Sequence, residues 1–299
     1  MKLLYPGETA ALATAACWTV SALFFAAAGK RIGSLALNQI RLFMAFALLC
    51  LYGVFVRGHA LPGDATPEAW GWLALSGFIG FTLGDLCLFR AYLLVGPRVS
   101  MLVMSLWPPM AALFGWALLG ERLRPTDWLG MALTLAGVAW VVLERQPAAQ
   151  EDPAAERSKG IALAFGGAVG QALGLVIGKF GMGSYDPFAA TQIRVVAGIA
   201  GFAVLFACIG WWPRVWNALS DGRGMLYSLG GAFAGPFLGV GLSLLAVQHT
   251  ATGVAATIMA LVPVLIIPFA VWLHKEHVTL RAVLGAVLAV CGVALLFLN

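Results

Sequence analysis

The sequence predicts an all-α integral membrane protein with ten transmembrane helices, arranged as two inverted five-helix repeats. Three observations lead to this fold class: an excess of apolar residues, ten apolar runs of spanning length, and a match between the two halves of the chain. Of the 299 residues, 61% are hydrophobic and 10% are charged, whereas an average soluble domain has about 25% charged residues. This composition excludes a water-soluble globule, a disordered chain and a nucleic-acid-binding protein.

The apolar runs are long enough to cross a bilayer as helices. A transmembrane helix needs about 20 apolar residues to span roughly 30 Å of hydrocarbon. The runs are continuously apolar rather than alternating, which disfavours a β-barrel. Ten of them can be placed: Ala10–Ala28, Leu35–Val56, Trp70–Leu94, Val99–Leu119, Asp127–Leu143, Lys159–Lys179, Pro187–Gly210, Gly224–Val247, Thr252–Leu273 and Thr279–Leu298.

The two halves of the chain match each other at an offset of 155 residues. Without gaps, Ser100–Leu143 aligns with Ala255–Leu298, and 13 of the 44 positions are identical. The identical pairs include Pro108 with Pro263, Glu121 with Glu276, Gly130 with Gly285 and Gly137 with Gly292. The chain is therefore predicted to be a duplicated unit.

Five spans in each half decide how the halves are related. Because the number is odd, the second half enters the bilayer from the opposite side, so the repeats are inverted about an axis in the membrane plane. Inverted repeats are typical of transporters that expose one central site to either side in turn. The predicted organisation is a first repeat at 8–143, a polar linker at 144–157 and a second repeat at 158–298.

Basic residues outside the spans predict the orientation. The face that holds the N-terminus carries 5 of the 18 lysines and arginines and the opposite face carries 10, while Arg41, Arg90 and Arg194 lie within spans. The positive-inside rule makes the richer face cytoplasmic. Both termini are then expected outside.

A motif that occurs twice resembles a known family. The motif comprises Pro108, Gly115, Glu121, Gly130 and Gly137-Val138, and returns as Pro263, Glu276, Gly285 and Gly292-Val293. This pattern, with Arg41 near the start of the second span, resembles the EamA family of the drug/metabolite transporter superfamily. The resemblance implies a ten-helix bundle that exports amino acids or other small metabolites across a bacterial inner membrane. The run Leu106-Trp107-Pro108 is similar to one in aromatic amino acid exporters of that superfamily.

Asp85 is the one acidic residue deep within a predicted span. An ionised carboxylate in hydrocarbon is costly unless it is paired, hydrated or protonated. It can serve as a proton-coupling group, as a counter-charge for a substrate amine, or as a local structural partner. Arg90 is a poor partner on the same helix, because five residues place it about 140° around the axis.

A substrate cavity is expected near the bilayer midplane, between the repeats. Mid-span prolines permit kinks and free backbone carbonyls that can line such a cavity. Aromatic and methionine side chains there suit an apolar cargo, and Asp85 and Gln171 suit its polar groups. The predicted lining comes from both repeats: Trp18, Asp85, Trp107 and Pro108 from the first, and Gln171, Met259 and Pro263 from the second.

Four other charged residues are predicted to support structure. Arg41 and Arg194 occupy equivalent places near the start of a span, where the helix dipole disfavours a cation, so each is expected to have an anionic or carbonyl partner. Glu121 and Glu276 fall where spans end. The nearby His274-x-x-His277 is interpreted as part of a loop, because the equivalent stretch of the first repeat lacks metal ligands.

Secondary transport is therefore the predicted function, with a membrane channel or a membrane-embedded enzyme as alternatives. No HExxH, GxSxG or P-loop motif is present in the sequence, and no filter motif suggests a channel. The sequence predicts no cofactor and no metal. The expected partners are a small-molecule substrate and the lipid bilayer, without nucleic acid, and the chain is expected to be a monomer, with a homodimer left open.

Overall fold

Helices dominate the computed structural model, which describes residues 5–144, 154–269 and 279–297. Within these residues, ten helices are long and apolar enough to cross a membrane. They are numbered here in chain order as α1 Pro6–Ile32, α2 Ser34–Arg57, α3 Pro67–Gly96, α4 Val99–Leu119, α5 Pro125–Leu143, α6 Glu156–Met182, α7 Pro187–Cys208, α8 Gly222–His249, α9 Thr252–Phe269 and α10 Leu280–Phe297.

Over the described residues, each predicted run overlaps one of these helices, so the predicted fold class is confirmed. Two of the helices, α3 and α8, begin two or three residues before the predicted apolar run, because a polar residue caps each of them. The side chains of Thr66, Asp186 and Asp221 accept hydrogen bonds from the first turns of α3, α7 and α8. Such caps satisfy backbone N–H groups that the helix leaves unpaired. Most of the predicted linker, at 145–153, lies outside the described residues, as do Glu276 and the two neighbouring histidines.

The last helices of the two repeats pack on each other around a two-fold axis. Thr134 in α5 and Ala289 in α10 are equivalent positions, 155 residues apart, and the Thr134 hydroxyl contacts the Ala289 carbonyl at 3.4 Å. Equivalent residues meet in this way only at a symmetry axis. Close approach depends on glycine: a Cβ on Gly137 would lie 2.5 Å from the Gly285 carbonyl oxygen.

Glycines also hold α3 against α6. A Cβ added to Gly170 would lie 2.9 Å from the Cα of Gly84, and one on Gly174 would lie 3.0 Å from the Cα of Gly80. Lipid supplies no hydrophobic force between helices, so close backbone packing stabilises such a pair. The same contact fixes the position of the residue that follows Gly84, which is Asp85.

Two kinds of helix irregularity recur at the 155-residue offset. Wider, π-helical turns occupy Phe78–Gly84 in α3 and Phe233–Gly239 in α8. In α4 and α9 the helix breaks at single turns, Ser105-Leu106 and Ala260-Leu261, and resumes with a proline in its first turn. Irregularities of this kind frequently mark functional sites. All four lie in mid-span or within two turns of it, and they surround one cavity.

Candidate functional site

A cavity of about 310 Å³ lies between the repeats. Pockets for small molecules begin at about this volume. Five pairs of equivalent residues contribute to its wall, each pair 155 residues apart: Phe81 and Pro236, Asp85 and Val240, Met104 and Met259, Ser105 and Ala260, Trp107 and Val262. Because both members of each pair reach it, the cavity lies on the pseudo-two-fold axis.

The described lining of the cavity extends from that axis toward one face. The face that holds the start of α1 is called the N-terminal face, and the other is called the opposite face. Tyr92 and Met101, near the ends of α3 and α4 at the opposite face, line the cavity. Their equivalents near the N-terminal face, Val247 and Ala256, are both 0% exposed. The two repeats therefore adopt different packing around the same axis.

Polar contacts close the N-terminal face. Glu121, in the α4–α5 loop, accepts a hydrogen bond from the Lys179 ammonium at 2.6 Å. Its other oxygen accepts from the backbone N–H of Thr252 at 2.8 Å and from its hydroxyl at 2.6 Å. Lys179 also donates to the Thr250 carbonyl at 2.8 Å. One carboxylate thus joins the ends of α4 and α6 to the start of α9.

A second cluster joins the α2–α3 and α6–α7 connections on the same face. Arg57 donates to both Asp64 carboxylate oxygens, at 2.6 and 2.5 Å, and to the Tyr185 hydroxyl at 2.9 Å. The Arg57 guanidinium holds the pKa of the Asp64 carboxyl well below its usual range. Partial burial and the hydrogen bond to Asp64 raise the pKa of Tyr185 to about 12. Around neutral pH, Asp64 is therefore ionised and Tyr185 is protonated.

The opposite face has weaker closure. An ion pair on this face joins Arg31 to Asp221 at 2.9 Å, and their side chains are 41% and 26% exposed, respectively. Exposed pairs contribute only about 0–1 kcal/mol to stability. The contacts of the described residues thus favour access from the opposite face.

Two charged side chains of opposite sign face the cavity. Arg41 of α2 donates from Nη2 to the Oδ2 atom of Asp85, and both residues line the wall. The Arg41 guanidinium also lies over the ring of Phe25, 5.4 Å from its centroid. Asp85 is therefore the anionic partner that the sequence predicted for Arg41. The ion pair joins two helices, α2 and α3.

Arg194, the equivalent of Arg41, has a different environment. It is buried outside the cavity lining, with its guanidinium 5.3 Å from the Phe81 ring centroid. Within the described residues, its Nε and Nη1 atoms have no hydrogen-bond partner. The expected anionic or carbonyl partner for these atoms is thus not found there, because Val240 stands where the first repeat has Asp85.

Of the predicted lining residues, six face the cavity: Trp18, Asp85, Trp107, Gln171, Met259 and Pro263. Pro108 is buried next to Trp107 in the first turn of the second half of α4 and does not line the cavity. The Trp18 and Trp107 rings lie 6.5 Å apart. Glycine at 239 leaves room for Trp18, since a Cβ there would lie 2.5 Å from the indole. No hydrogen bond to the Gln171 amide is found within the described residues.

Sequence reasoning missed several wall residues. Met104 and Val240 could have been found, because the 155-residue offset pairs them with Met259 and Asp85. Phe25, Tyr92 and Met101 carry no such signal, since their equivalents do not line the cavity.

Inverted repeats around a central cavity define the class of protein: a multi-pass membrane transporter fold. The sequence model of the EamA-like transporter family matches residues 5–143 and again 158–298. The chain therefore belongs to the EamA-like transporter family, whose members transport small molecules. A search of curated proteins finds no matching relative. A solved crystal structure shares the fold, with a TM-score of 0.79 and 20% identity over 98% of this chain and 96% of that chain.

Proposed function

We propose that this protein is a secondary transporter that exports amino acids, particularly aromatic and hydrophobic ones, by alternating access. The single observation that carries the proposal is the cavity wall. Equivalent residues of the two repeats meet there, yet among the described lining residues Tyr92 and Met101 extend the wall toward the opposite face, while their equivalents do not line it. An exchange of packing between the repeats would close that face and open the other, which is how carriers with inverted repeats expose one site alternately.

The wall chemistry supports an amphipathic cargo. Trp18, Trp107 and the equivalent methionines at 104 and 259 offer apolar surface for a side chain. Asp85 supplies a carboxylate for an ammonium group, and Gln171 supplies an amide that can donate and accept. Small-molecule sites commonly combine a mostly apolar wall with a few polar groups that fix orientation.

The proposed direction follows from the charges on the two faces. The opposite face carries the larger number of basic residues, which places it in the cytoplasm by the positive-inside rule. The cavity then faces the cytoplasm and is poised to load cargo for export. The proposed location is a bacterial inner membrane, with both termini outside and the protein acting as a monomer.

Counterflow in proteoliposomes tests this function. Vesicles that contain the purified protein and one unlabelled amino acid are expected to accumulate the labelled form of that amino acid, transiently and with saturation. Phenylalanine, tryptophan and leucine are expected to exchange faster than glutamate or lysine, because the wall is apolar and its fixed charges balance. The control is the same vesicles without protein. Exchange of no amino acid, together with exchange of some other small metabolite, would overturn the proposal.

A further inference from the structure

We infer, on the basis of the proposed amino acid export, that the Arg41–Asp85 ion pair is the recognition site for the charged groups of a zwitterion. Asp85 binds the α-ammonium and Arg41 binds the α-carboxylate of the cargo. These two contacts with the cargo replace the ion pair between Arg41 and Asp85. Arg41 is then a specificity-determining residue rather than a purely structural one.

Charge balance in the cavity is the first argument. Among the described lining residues, Arg41 and Asp85 are the ones with a formal charge, and their charges cancel. Their side chains are 16% and 19% exposed, so their interaction is poorly screened by solvent. A zwitterion leaves the total charge at zero after it binds. A simple cation or anion would leave one uncompensated charge in a medium of low dielectric constant, which is costly.

The geometry of Arg41 is the second argument. Its guanidinium has five N–H donors in a planar fork that suits a carboxylate. Within the described residues it uses Nη2 for Asp85, while Nε is buried without a hydrogen-bond partner. The guanidinium is therefore incompletely satisfied by protein groups. Because one nitrogen makes this contact, other N–H groups of the guanidinium, such as Nε–H, can donate to the carboxylate of a cargo.

Comparison of the two repeats is the third argument. The second repeat builds the same π-helical turn at Phe233–Gly239 and continues with Val240, where the first repeat has Asp85. An acid is thus not required to form this part of the fold. Intramembrane charges that the fold does not need mark functional sites by default.

The apolar part of the wall completes the site. Phe25 lies beside Arg41, and Trp18 and Trp107 line the same cavity, so an aromatic or aliphatic side chain has apolar surface within the space that holds the ion pair. An α-amino acid, whose α-carbon bears an ammonium group, a carboxylate and an apolar side chain, matches this arrangement of charged and apolar groups.

Binding of three related probes to the purified protein in detergent tests the inference. The probes are L-phenylalanine, phenethylamine, which lacks the carboxylate, and 3-phenylpropionate, which lacks the ammonium. The unmodified protein is expected to bind L-phenylalanine about 30-fold more tightly than either analogue, a ratio typical of one lost buried charge contact. Arg41→Gln is expected to reverse this order in favour of phenethylamine, and Asp85→Asn in favour of 3-phenylpropionate.

Arg90→Gln is the matched control, since Arg90 is on the same helix as Asp85, exposed and outside the cavity lining. It should leave the order unchanged. Preserved L-phenylalanine preference in both folded cavity variants would overturn the inference. If neither variant folds, the unmodified protein decides, because equal binding of all three probes contradicts a zwitterion site. Binding of no amino acid would instead overturn the proposed function as well.

Discussion

Met104→Trp is expected to abolish transport while the protein still folds. Met104 lines the cavity with its equivalent Met259, and an indole at 104 would occupy space that the cargo needs. Steric overlap of this ring with the cargo is expected to cost about 1–3 kcal/mol of binding free energy, which corresponds to a loss of about fivefold to 150-fold in affinity. Because the cavity itself has room for the new ring, thermal stability should change little. Counterflow and binding of L-phenylalanine measure the effect.

Leu113→Trp is the matched control for this substitution. Leu113 follows Met104 by nine residues on α4, which places it about 180° around the helix axis. The residue is 55% exposed on the outer surface. The same ring added there should leave binding and transport intact. Equal loss in both variants would mean that α4 does not tolerate tryptophan, and full activity of Met104→Trp would show that the cargo passes elsewhere.

Glu121→Ala is expected to produce the largest loss of stability among these variants. It removes one carboxylate that binds Lys179, the backbone of Thr252 and the Thr252 hydroxyl. Removing one partner of a buried ion pair costs about 3–5 kcal/mol, and about 2 kcal/mol is expected here because both side chains keep partial contact with solvent. The midpoint of thermal unfolding in detergent should fall by about 5 °C.

Arg122→Ala provides the comparison, since it removes an exposed charge from the same loop. It should shift the unfolding midpoint by less than about 1 °C. A midpoint for Glu121→Ala as high as that of the control would mean that the Glu121 contacts contribute nothing to closure of the N-terminal face.

The fold was predictable because its signals are local or repeated. Apolar runs of spanning length identify the helices, and the 155-residue offset identifies the duplication without knowledge of any contact. The helix ends were less accurate, since hydropathy does not register polar caps such as Thr66 and Asp221. The π-helical turn at Phe78–Gly84 carries no residue signature beyond glycine, whereas its equivalent at Phe233–Gly239 also contains Pro236, which removes a backbone hydrogen bond.

The candidate site was predictable in part. Polar and aromatic residues near mid-span prolines led to Trp18, Asp85, Trp107 and Gln171, because such residues are costly or unusual in hydrocarbon. The partner of Asp85 could not be predicted, since helix periodicity compares only residues on one helix and Arg41 lies on another, 44 positions away. Nor could the closed face be predicted, because two similar repeats give no reason for one to pack more tightly.

Alternating access, the central claim, is tested most directly by cysteine accessibility at two equivalent positions. Met101→Cys and Ala256→Cys would each be made after replacement of the five native cysteines, at 17, 50, 87, 208 and 291. In proteoliposomes, a water-soluble maleimide should label Met101→Cys and spare Ala256→Cys, which occupies a fully buried position. Outward transport of L-phenylalanine should then raise labelling at 256 and lower it at 101. Active transport with position 256 still unlabelled would contradict the account.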